Sequence, residues 1–69
     1  MLSDMEYRAD LYAAGDVYKD RERYYARNEV EAVDAARQLV VAHGLDHAVL
    51  YATDGNGHAR RITKVGAEQ

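Results

Sequence analysis

Residues 28–44 constrain this chain more than any other stretch, because they specify a helix at both ends and through its middle. Asn28 carries the short polar side chain of a helix N-cap, and Glu31 follows three residues on, in the spacing of a capping box. Gly44 supplies the left-handed residue that commonly closes a helix. Between them Ala32, Val33, Ala36, Leu39 and Val40 recur at helical spacing on one apolar face, which predicts a helix over about residues 29–43. Glu31, Asp34, Gln38 and Arg37 fall on the opposite side, with Val30 and Val41 at the flanks.

The segments on either side read as β-hairpins. Met5, Tyr7, Ala9, Leu11 and Ala13 alternate with Glu6, Arg8, Asp10 and Tyr12, which predicts a half-buried strand, and Ala14-Gly15-Asp16 is a turn signal. A second strand is expected within residues 17–27. One face would hold Lys19, Arg21, Arg23, Tyr25 and Arg27, and the other Tyr18, Asp20, Glu22, Tyr24 and Ala26. Charge on both faces suits an exposed edge, where it discourages aggregation. Residues 45–53 contain A-V-L-Y-A and predict a third strand, apolar on both faces as a central strand is. Asp54-Gly55-Asn56-Gly57 is a hairpin turn, residues 58–65 a fourth strand, and residues 66–69 a frayed tail.

The fold expected is one α/β (α+β) two-layer domain over residues 1–69. It has the order ββαββ, with an antiparallel sheet of three to four strands and a single helix on one face. Leu11, Val33, Ala36, Leu39, Val40, Val49 or Leu50, and Ile62 are the expected core, and Leu39→Ala should cost about 2–5 kcal/mol if that side chain is buried. The other sheet face stays open, with Tyr12, Tyr25 or Tyr51 as residues that would lie on it. That face is a candidate surface for a homodimer or another partner.

A chain of 69 residues buries only about 60% of its unfolded surface. With no cysteine there is no disulfide, thiolate metal site or thiol nucleophile to add, so association is the remaining way to bury more. No apolar run approaches the roughly 18 residues of a membrane span, and the start of the chain lacks a signal pattern, so the expectation is a soluble, cytoplasmic protein. Net charge is −3, unevenly spread: residues 1–20 carry net −3, 21–27 net +2, 28–54 net −4 and 55–69 net +2. The overall acidity argues against nonspecific nucleic-acid binding and suits a basic partner.

Catalytic chemistry is not in view. His43 and His47 are four apart, but Gly44 breaks the helix between them. With Asp46 and His58 they read most simply as cap and turn residues, so neither metal nor cofactor is expected. D-G-N-G matches the centre of a calcium loop, yet Ala52 and Thr63 stand where acids would be needed. Ser3 is the only serine, and no phosphate loop occurs.

The order Tyr7-Arg8-Ala9-Asp10-Leu11, the turn at Gly15, a short charged strand, then E-A-V-D-A-A-R-Q-L-V-V-A-H-G and A-V-L-Y, resembles small phage-encoded anti-CRISPR proteins that act on type I systems. The likeness covers about residues 5–62 and is one of pattern and size. Uncharacterised small bacterial ββαββ proteins share the E-A-x-x-A-A-R pattern. The anti-CRISPR resemblance implies a non-enzymatic inhibitor that occupies the basic, DNA-receiving surface of a CRISPR effector (Cas) subunit in the host cytoplasm. No family site transfers by residue. On that reading Asp10, Asp16, Asp20, Glu31 and Asp34, all expected to be exposed, would face arginines and lysines of the partner as a DNA mimic, with no direct nucleic-acid contact. The alternative is a small nucleic-acid-binding or regulatory module using Arg21, Arg23, Arg27, Arg60, Arg61 and Lys64.

Overall fold

A computed structural model describes residues 4–54 and 56–67. Four strands and one helix follow in the order β1 (Met5–Ala13), β2 (Val17–Ala26), α1 (Glu29–His43), β3 (His47–Thr53) and β4 (Ala59–Gly66). All neighbours pair antiparallel, in the sheet order β2-β1-β3-β4. The ββαββ two-layer expectation is met with a sheet of four strands. β3 starts two residues later and β4 one residue later than the sequence pattern suggested. Gly55 of the second turn, Ser3, and the last two residues of the expected tail lie outside the described residues.

Both ends of α1 follow from local chemistry. Asn28 is extended (φ −160°), and its Oδ1 accepts the Glu31 N–H at 2.9 Å. The expected reciprocal half of the capping box is displaced by one residue. Glu31 reaches past Asn28 to accept from the Arg27 backbone N–H at 3.0 Å and from its guanidinium at 2.7 Å. These bonds hold the Glu31 carboxyl below the ordinary carboxylate range. At the other end Gly44 (φ 65°) donates to Val41 O, and Leu45 N–H donates to Val40 O, the paired bonds of a Schellman motif.

The helix lays Ala32, Ala36 and Val40 against Tyr7, Ala9 and Leu11 of β1, Ala48, Leu50 and Ala52 of β3, and Val65 of β4. Among the described residues, six of the eleven buried apolar ones are alanines, so the layers approach closely and few large side chains fill the space. Leu11, Leu50 and Val40 are the largest fully buried ones. Leu50 fills the core and Val49 does not. Leu39, Val33 and Ile62 are only partly buried, which corrects their place in the expected core.

Tyr24 ties the edge strand to the helix. Its ring stacks on Tyr7 with centroids 6.3 Å apart, and its hydroxyl donates to Ala32 O at 2.6 Å. Burial, then the proximity of Tyr7, pushes the Tyr24 phenol up to about 12. A phenol whose pKa is raised in the fold favours folding while it is protonated. Its contribution should therefore be complete below about pH 10 and lost as pH rises towards 12. Tyr24→Phe should cost about 1 kcal/mol at neutral pH, through the lost hydrogen bond, and should flatten the fall in thermal midpoint over that alkaline window. An identical alkaline profile in wild type and Tyr24→Phe would contradict this.

Candidate nucleic-acid interface

With α1 on one side, the register assigns the other sheet face residue by residue. β1 contributes Glu6, Arg8, Asp10 and Tyr12. Opposite them, β2 contributes Tyr25, Arg23, Arg21 and Tyr18, and β3 contributes Tyr51, Val49 and His47. On β4, Arg61 stands opposite Tyr51 and Lys64 opposite Val49. Five cations, four tyrosines and one histidine thus share a face with two acids.

Both acids are occupied within the face. Asp10 sits at its centre, 5% exposed, with Arg21 Nε at 3.0 Å and Arg8 Nε at 3.2 Å. The carboxylate also holds the Arg21 guanidinium more firmly charged, chiefly by hydrogen bonding. The Arg8 guanidinium carbon lies over the Tyr51 ring, 4.2 Å from its centroid, a cation–π contact. Glu6 Oε1 accepts from the Thr53 hydroxyl at 2.9 Å. By contrast Arg23, Arg61 and Lys64 are exposed, and no ion pair engages them among the described residues.

The aromatic residues divide into two ends. Tyr12 stacks on His47 with centroids 5.1 Å apart and meets Tyr18 edge-on at 5.8 Å. His47 is buried there, with Nδ1 2.8 Å from Asp46 and Nε2 3.5 Å from Asp16, so it ties the β1–β2 turn to the start of β3. Tyr25 stands alone at the far end of β2 with 67% of its surface exposed, and Tyr18 is 51% exposed.

The acidic positions expected to form a partner surface do not share one. Asp10 is buried on the open face, which corrects the expectation that it is exposed: as the outward residue of a central strand it is covered by the arginines flanking it. Asp16 lies in the turn beside His47. Asp20 stands on the helix side of β2, opposite Leu11. Glu31 is bound to Arg27, and Asp34 lies 3.4 Å from Arg37 Nη1 and 3.2 Å from Gln38 Nε2.

The basic set divides too. Arg21, Arg23, Arg61 and Lys64 lie on the open face, whereas Arg27 and Arg60 turn to the helix side and pair with Glu31 and Glu29. Arg8 belongs to the face and was absent from that set, although strand alternation had put it on the same side as Asp10.

His43, His47 and His58 lie in separate groups, His43 beside Glu22 at 3.8 Å and His58 beside Asp54 at 3.1 Å. Among the described residues, Asp20, Glu22 and His43 are the one trio whose donor atoms come within 4.8 Å of one another, and they form a surface charge cluster. A groove of about 740 Å³ runs between α1 and β4, lined by Val30, Val33 and Ile62 together with Glu29, Glu31 and Asp34. Among the described residues no helix is long and apolar enough to cross a membrane. No protein-family model, curated protein or solved structure matches this chain.

Proposed function

We propose that this protein is a non-enzymatic binding module that engages nucleic acid through its open sheet face. One observation carries the reading: cations and tyrosines concentrate on the face α1 leaves bare, where both acids are already engaged. Phosphate groups are attracted by Arg23, Arg61 and Lys64, and releasing their counterions supplies sequence-independent affinity. The whole chain is acidic, but Asp20, Glu22, Glu29, Glu31 and Asp34 stand on the helix side, and Asp16 and Asp46 meet the face only at His47, so the local sign around Arg23, Arg61 and Lys64 governs the encounter. Titrating a fluorescently labelled oligonucleotide at moderate salt should give saturable binding that weakens as salt is added. No change in anisotropy at low salt would end this reading.

The groove beside α1 favours a second reading, the inhibitor that the anti-CRISPR resemblance implies. There Glu29, Glu31 and Asp34 surround exposed apolar surface, including Val30, which is 81% exposed. Such a surface suits a basic protein groove, with the apolar residues at its centre. A pull-down from a host with an active type I CRISPR system should then recover a Cas subunit with the wild type but not with Glu31→Lys/Asp34→Lys. Equal recovery by both proteins would refute an acidic contact.

A further inference from the structure

We infer that the nucleic acid bound by the open face is single-stranded, its bases stacking on Tyr25 and Tyr18 while Arg21 and Arg23 hold the backbone between them. This rests on the nucleic-acid reading above and adds the class of strand. Tyr18 and Tyr25 stand on the same face of β2, and at about 3.3 Å per residue they are about 20 Å apart, with Arg21 and Arg23 at successive outward positions between. Tyr18 reaches this face because a bulge at Lys19 shifts the strand: Leu11 pairs Asp20, but Tyr12 pairs Tyr18. Both residues are half exposed or more, although burying them would stabilise so small a domain.

Duplex DNA suits this surface poorly. The major groove admits a helix or a two-stranded β-ribbon; among the described residues the helix lies behind the sheet with Glu29, Glu31 and Asp34 exposed or half-exposed along it, and the cations and tyrosines are spread over a sheet four strands wide. Splayed bases need only a ring face and a nearby cation, and stacking tolerates any base.

The test compares a labelled short oligothymidylate, a duplex of equal length and inorganic polyphosphate, which offers charge without bases. The oligothymidylate should bind at least about tenfold more tightly than the duplex. Tyr25→Ala and Tyr18→Ala should each weaken its binding by about 5- to 150-fold while leaving polyphosphate binding unchanged. Tyr25→Phe, which keeps the ring, should bind like wild type. Equal affinity for duplex and single strand, or alanine variants that bind the oligothymidylate like wild type, would overturn the inference while leaving the nucleic-acid reading in place. Failure of every oligonucleotide to bind would remove that reading as well. A concentration-dependent dimer broken by Tyr25→Ala would instead assign the face to a second copy of this chain and overturn the inference.

Discussion

Replacing Leu50 by alanine should lower the thermal midpoint by at least about 10 °C. Leu50 is fully buried at the centre of β3, paired with Ala9 on one side and Thr63 on the other, under α1. Most of its buried companions are alanines, which have no side-chain length to swing into the space it would leave. Leucine truncations in packed cores cost about 2–5 kcal/mol. In a domain this small each kcal/mol corresponds to about 4–8 °C. Leu39→Ala should cost roughly half as much, because Leu39 lies at the border of the helix–sheet layer. Equal damage from the two substitutions would mean that the helix presents a different face to the sheet. Differential scanning calorimetry of the two variants decides it.

Reversing three charges on the open face should weaken nucleic-acid binding by roughly 50-fold or more while leaving the fold intact. Arg23, Arg61 and Lys64 suit the test because they are exposed and form no ion pair among the described residues. Arg21 does not, since reversing it would set a carboxylate against buried Asp10. The matching control reverses Glu29, Glu31 and Asp34 to lysine. It should leave nucleic-acid binding unchanged or tighter, because those side chains sit behind the sheet. Circular dichroism confirms folding of both triple variants, and anisotropy gives the affinities. Loss of binding in the acidic-set variant alone would move the interface to the helix side.

The helix was legible because its determinants are local. Asn28, Gly44 and the apolar residues between them fix its ends and its buried stripe within one stretch of chain. The strands were legible to within two residues for the same reason. Sheet order was not, since pairing β3 with β1 joins residues about forty apart through contacts that no neighbouring residue encodes. Two bulges hid the composition of the open face. Plain alternation along β4 puts Arg60, Ile62 and Lys64 together, but the bulge between Leu50 and Tyr51 leaves Ile62 unpaired. Arg60 and Ile62 therefore lie on the helix side, and Lys64 joins Arg61 outside. The bulge in β2 likewise takes Tyr18 from the face of Asp20 to the face of Arg21. Asp10 shows the other gap: alternation identified its face, but its burial depends on long side chains from two strands folding over it.

The open face as a phosphate-binding surface is tested most directly by the salt dependence of oligonucleotide affinity. Each phosphate neutralised on a single strand contributes about 0.7 to the slope of log K against log salt concentration. Five cations on the face set a wild-type slope of up to about −3.5, and reversing Arg23, Arg61 and Lys64 should reduce its magnitude by about 2. A triple variant with the wild-type affinity and slope would contradict the account, because the bound strand would then be touching some other surface.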